Sequence, residues 1–212
     1  KTIMITHLHS DHYLELGPLV HTAWTAGLKT PLTIWGPPGL QDYWDAFCQS
    51  MAADIELREV DEGRPPFAGL ITIHEIAEGT FYDVDGLSVS AMRTIHPPLV
   101  DCFALSFRTA SRHVVFSGDT AYLPPLVDFA RGADLLIHEA MLKPALEALV
   151  ARVGSTDGRL MNHLVSSHTL ADKAAEIAEQ AGAAALALNH LIPADDPDYS
   201  AEDWQAAVAP HF

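Results

Sequence analysis

A chain of 212 residues, 49% hydrophobic and 19% charged, has a globular rather than a disordered balance and the length for one domain, 1–212, with a sizeable core. Twelve Lys and Arg against 28 Asp and Glu give a formal net charge of -16, which repels polyanions and argues against nucleic acid as a partner. No apolar run reaches the roughly 18 residues that predict a membrane span, and Cys48 and Cys102, far apart in apolar or amphipathic segments, read as reduced core thiols rather than a disulfide framework.

The chain opens with a short β-type run over 2–6 that ends at HLHSDH. A helix is predicted from Asp11 to Ala26, with Leu14, Leu16, Leu19, Val20 and Trp24 on its apolar side. A strand over 32–35 stops at GPPG, a helix covers 40–53, and a loop rich in charge, Pro and Gly spans 58–69. Strands then follow over 70–76, 80–84, 87–95, 102–108 and 112–117, punctuated by AEG, DVDG and TASR as in meanders and hairpins. From there β and α segments alternate: helix 122–131, strand 134–138, helix 143–152, loop 153–166, helix 169–181, strand 184–189 and helix 201–208. Antiparallel strands followed by alternating units imply an α/β fold of layered sheets with helices outside.

His7 and His9 stand two apart on extended backbone, so both can project to one side of a strand end, and Asp11 and His12 follow as the chain turns. Imidazole and carboxylate donors at this density suit zinc, which in catalytic sites keeps one position open. Later strand ends offer more: His96 before Pro97 and Pro98, Asp119 after Gly118 in FSGDT, and His190 in LNHLIP. Five histidines and two aspartates suffice for two metals sharing a carboxylate. The other histidines read as bland: His74 and His113 as surface or hydrogen-bonded residues, and His21 and His211 as lacking a spacing partner. His138 points away from the face of Glu139, and His163 is a weaker candidate for lining the pocket.

HLHSDH, His96, FSGDT and LNHLIP together resemble the metallo-β-lactamase superfamily of binuclear metal hydrolases, over nearly the whole chain. The resemblance implies an αββα sandwich, with a first zinc on His7, His9, His96 and Asp119. A second zinc would take Asp11, His12, Asp119 and His190, and Mn2+ or Fe2+ could replace either ion. DLLIHEA and SSHT resemble the ribonuclease Z-like and arylsulfatase-like branch, which implies that Glu139 and His168 form an acid pair, with Thr169 and Asp172 capping the next helix. Asp11 would orient a metal-bridging hydroxide, and His168 with Glu139 would protonate the leaving group.

The expected reaction is hydrolysis of a small-molecule ester: a phosphodiester, sulfate ester, lactone or relative. The alternatives are a ribonuclease Z-type tRNA 3′-processing endonuclease, a β-lactam hydrolase and a non-catalytic metal-binding protein. The short stretch between His96 and Asp119 has no room for the long tRNA-binding arm of bacterial ribonuclease Z, which with the acidic balance argues against tRNA. A glyoxalase II-type thiolesterase is disfavoured, because no C-terminal helical segment for glutathione appears. Only Lys1 precedes the first strand, and HF ends the chain early for this fold. The chain therefore reads as trimmed, without N-terminal strands and a last C-terminal strand, its bare sheet edges open to homodimer pairing. No signal peptide is visible, which favours the cytoplasm.

Overall fold

Two βαβ crossovers build the first unit, Lys1–Ala77, of the computed structural model, which describes residues 1–212. Strands β1 (Thr2–Met4), β2 (Leu32–Gly36) and β3 (Ile71–Glu75) pair in parallel in that order, with Ile3, Ile34 and Ile73 in register. Parallel neighbours need long crossovers; these are α1 (Ser10–Tyr13) with α2 (Leu16–Thr25), and α3 (Leu40–Ser50) with α4 (Ala52–Asp61). Val20 and Trp24 of α2 and Leu40 and Trp44 of α3 share one buried cluster with Ile5, Leu32 and Ile34.

The helix expected over Asp11–Ala26 is broken at Leu14–Glu15. Pro18 is the cause: it has no N–H to give the Leu14 carbonyl four residues back. The Tyr43 hydroxyl donates to that carbonyl instead, at 2.6 Å, and accepts from Gly17 N at 3.1 Å. The break rotates the apolar stripe, so Leu16, Val20 and Trp24 are buried while Leu14 and Leu19 are 53% and 58% exposed. The charged loop also starts later than expected, because α4 runs to Asp61 with Arg58 bonded to Asp54 at 2.8 Å and Glu62 at 3.0 Å.

The second unit, Glu78–Phe212, is a six-stranded sheet. Strands β4 (Gly79–Val84), β5 (Leu87–Arg93), β6 (Phe103–Arg108) and β7 (His113–Phe116) form an antiparallel meander. The β4–β5 turn is Asp85-Gly86, both at positive φ (52° and 79°), as a two-residue hairpin of matching twist requires. Strands β8 (Leu135–Met141) and β9 (Leu186–Ile192) add on in parallel, after α5 (Leu126–Phe129) and after α6 (Lys143–Val153), α7 (Arg159–Ser167) and α8 (Ala171–Ala181). Ala174, Ala175 and Ala178 of α8 are fully buried, small side chains that let this helix lie close on the sheet. Helix α9 (Ala201–Val208) completes the unit, with Trp204 packed beside Ala140, Leu142, Ala145 and Ala171.

The second half differs from expectation at α7, where a loop was predicted over 153–166: Leu164 and Leu160 pack with Met141 and Leu146 and make this segment helical. His113 is buried, with Nε2 2.9 Å from Ser106 Oγ, and His21 does find a partner, Asp54, at 2.9 Å.

Two stability predictions follow from these cores. A Cβ on Gly17 would come within 2.7 Å of three Phe47 ring atoms, so Gly17→Ala should destabilise the first unit by about 1–3 kcal/mol despite its better helix propensity; urea denaturation followed by Trp fluorescence tests this. Burial pushes fully enclosed His138 down to about 4. A histidine depressed in the fold stabilises above its unfolded pKa, and that contribution is lost as pH falls through the folded value. In metal-free protein this residue should therefore contribute a loss of about 3 kcal/mol between roughly pH 6.5 and 4, and His138→Leu should remove that part of the slope of urea-denaturation stability against pH.

Candidate metal centre

In the first unit the donors follow β1 directly. Ile5 N still bonds Trp35 O at 2.8 Å, after which the chain runs free of the sheet, and His9 (φ -83°, ψ 144°) is extended where α1 begins. The start of α1 folds His12 back: its N–H donates to His9 O at 2.9 Å, and its ring centroid comes 4.0 Å from that of His7. The His9 ring lies 5.1 Å from His7, and Asp11 Oδ2 is 3.2 Å from His12 Nε2. HLHSDH thus gathers three imidazoles and a carboxylate through one helical turn rather than along a strand. His7 is fully buried and Asp11 is exposed.

In the second unit one carboxylate oxygen is the hub. Asp119 Oδ2 is 3.8 Å from His96 Nε2, 3.4 Å from His190 Nε2 and 4.0 Å from His168 Nδ1. Donors held about 2.0–2.1 Å from one tetrahedral ion lie roughly 3.3 Å apart, so His96 and His190 fit ligands around a cation better than hydrogen-bond partners, while His168 stands farthest off and nearer to Glu139. His96, Asp119 and His168 offer atoms all within 4.8 Å of one another, as do Glu139, His168 and His190. Nitrogen and oxygen donors of this kind suit a divalent ion.

Each donor is fixed by neighbours. His96 Nδ1 is 2.8 Å from Ser167 O, a contact an imidazole makes only as N–H donor, so Nε2 carries the lone pair that faces Asp119. Burial pushes His96 down, which keeps it neutral as a ligand must be. Asp119 follows Gly118, whose φ of 57° turns the chain off β7, and Thr94 Oγ1 donates to Asp119 O at 2.9 Å. His190 was expected to end its strand. Instead it is the unmatched residue of a bulge in β9, between Asn189 opposite Glu139 and Leu191 opposite Ala140, at φ 43°.

Glu139 and His168 are both buried, with His168 Nδ1 3.3 Å from Glu139 Oε1. That same oxygen accepts from Thr120 N and Thr169 N, each at 3.1 Å. Burial pushes the Glu139 carboxyl well above its ordinary value, only partly offset by these donors. Thr169 does not cap α8 as expected: Leu170 is the N-cap residue, and Thr169 Oγ1 donates to Thr120 O at 2.7 Å. His163 lies near, its ring 5.9 Å from His168 and 6.2 Å from His96. The sequence reading missed Thr120, Thr169 and Ser167, which act through backbone groups; their only sequence signal is that each adjoins Asp119 or His168.

A family model described as the beta-lactamase superfamily domain matches residues 1–191. A ribonuclease Z of Mycobacterium sp. (strain KMS) is 33% identical over 217 residues, covering 100% of this chain and 72% of its own. One from Mycobacterium bovis (strain BCG / Pasteur 1173P2) is 30% identical, covering 100% and 74%. Among solved structures, the metallo-β-lactamase fold protein YhfI of Bacillus subtilis has a TM-score of 0.65 at 23% identity, covering 100% of this chain and 72% of its own. Human tRNase Z, short form, has a TM-score of 0.61 at 24% identity, covering 90% and 72%. The architecture is accordingly the metallo-β-lactamase fold.

These relatives overturn the expectation that nucleic acid is a poor partner. Net charge sums the whole surface, whereas a phosphate meets only the local field. Nor does the missing arm discriminate, because an alignment of 217 positions over the entire chain leaves these mycobacterial ribonucleases no long insertion there either.

Proposed function

We propose that this chain, which belongs to the metallo-β-lactamase superfamily and is a ribonuclease Z-like, metal-dependent hydrolase, cleaves phosphodiester bonds of RNA at the 3′ ends of tRNA precursors. The observation that carries the proposal is the Glu139–His168 pair at 3.3 Å beside Asp119, in a chain matched from end to end by ribonucleases Z.

In this reading His7, His9, His96 and Asp119 would hold one zinc, and Asp11, His12, Asp119 and His190 a second. Bound zinc supplies a water-derived nucleophile near neutral pH and offsets the charge on phosphorus. Asp11, exposed and close to His12, orients the attacking water. His168, held through Nδ1 by Glu139, gives its proton to the oxygen that leaves phosphorus and regains it from the carboxyl pair or solvent. The Thr120 and Thr169 amides keep Glu139 in place while that proton moves.

Purified protein should carry about two zinc ions per chain and trim a precursor tRNA bearing a 3′ trailer, with no β-lactam hydrolysis. Asp119→Asn should lower bound zinc, measured by atomic emission. His168→Ala should keep its zinc yet cut precursor tRNA about 10²–10⁴ times more slowly. It should lose far less on bis(p-nitrophenyl) phosphate, whose leaving group needs no proton. Equal losses on both substrates would remove His168 from the acid role, and a metal-free protein of full activity would sink the mechanism.

A further inference from the structure

Beside His168, framed by α6, α7 and the start of α8, lies a cavity of about 420 Å3, within the size of small-ligand sites, about 300–1,000 Å3. Met141, Leu146 and Met161 are among its apolar lining, and Tyr122, Lys143 and Lys173 stand with the carboxylate of Glu147 on its polar rim. Met141 and Leu146 are nearly fully buried, whereas Tyr122 is 39% exposed. Lys173 Nζ stands 5.9 Å from the Tyr122 ring centroid and pairs with Glu176. Of the chain's four lysines, two stand on this rim, in a protein with 28 acidic residues.

Thioether and aliphatic side chains make an adaptable surface for a flat ring. An exposed tyrosine adds a stacking face, and the ammonium groups attract phosphate. An inorganic anion would leave the apolar lining unused, and an uncharged ester would leave the lysines unused. A nucleotide uses both. Position adds a direction: the oxygen that His168 protonates is the one leaving phosphorus, so the nucleotide bearing that oxygen is the one delivered to this side.

Resting on the ribonuclease reading above, we propose that this cavity receives the base of the nucleotide carrying the leaving oxygen and so aligns the bond that breaks. In that step water bonds to phosphorus and gives up a proton to solvent, the bond from phosphorus to the leaving oxygen breaks with its electron pair on oxygen, and His168 supplies the proton that this oxygen takes. The base stays seated while the bond opens.

The test uses zinc-loaded protein and precursor tRNA in three forms: intact, abasic at the nucleotide carrying the leaving oxygen, and abasic at the nucleotide across the scissile phosphate. For wild type, kcat/KM should fall about tenfold or more with the first abasic form and much less with the second. Tyr122→Ala, and independently Met161→Trp to fill the cavity, should cut intact precursor about as poorly as wild type cuts the first abasic form, with that discrimination gone. Circular dichroism and zinc content would certify both variants as folded. Equal losses for the two abasic forms, or folded variants that keep the discrimination, would overturn the pocket while leaving the ribonuclease reading intact. Wild type that hydrolyses bis(p-nitrophenyl) phosphate but no RNA would overturn that reading and the pocket with it.

Discussion

A carboxylate shut away from water organises the second unit. Burying Glu139 costs free energy unless its oxygens find donors, and Oε1 finds two, the amides of Thr120 and Thr169, with the Nδ1 edge of His168 3.3 Å away. Thr120 is the residue after Asp119, and Thr169 the residue after His168. One side chain on β8 therefore fixes the backbone immediately behind two functional groups from distant parts of the chain. The link from Thr169 Oγ1 to Thr120 O closes the arrangement into a ring of hydrogen bonds. Glu139 Oε2 is buried too, so the whole carboxylate is shut away from water.

The same economy governs the histidines. His96 is held through Nδ1 by a carbonyl of α7, so a helix remote in sequence sets the direction of an imidazole just beyond β5. His138, next to Glu139, turns to the other face, is fully buried, and uses Nδ1 on the Glu139 carbonyl at 2.7 Å. Two adjacent titratable residues thus take unlike roles because a strand alternates its faces: one enters a polar cluster, the other a dry core where it stays neutral.

The motifs were legible because imidazoles and carboxylates gathered just past strand ends leave dense, unusual signals, as in HLHSDH and FSGDT. The β4–β9 order was legible because turn residues such as Asp85-Gly86 and the switch to helical periodicity mark it. What was not legible depends on contacts between distant residues. Pro18 alone did not announce a break, because it is tolerated in a first helical turn; Tyr43, many residues away, completes it. Helix α7 does space Leu160, Met161, Leu164 and Val165 along one helical face, but the run GSTDG before it reads as loop, and its order comes from packing on Leu146 and Met141. Thr169 has the residue type of a cap, yet Thr120 O claims its hydroxyl. Net charge misled about partners, since one sum cannot say where two lysines stand.

The bulge at His190 reaches beyond the site. In an unbroken strand Leu188 and Leu191 would face opposite ways, being three apart. With His190 left out of the pairing count, both fall on the face of His138 and Ala140, and both pack against the cluster around Trp204. Asn189 keeps the face of Glu139, while the extra residue is aimed by its own backbone kink. The histidine is therefore also a phase marker for β9. Removing it by deletion would erase a donor and put the end of the strand out of step with its core. Replacing it by substitution would leave the phase intact, so one codon carries two separable messages, one in its side chain and one in its mere presence.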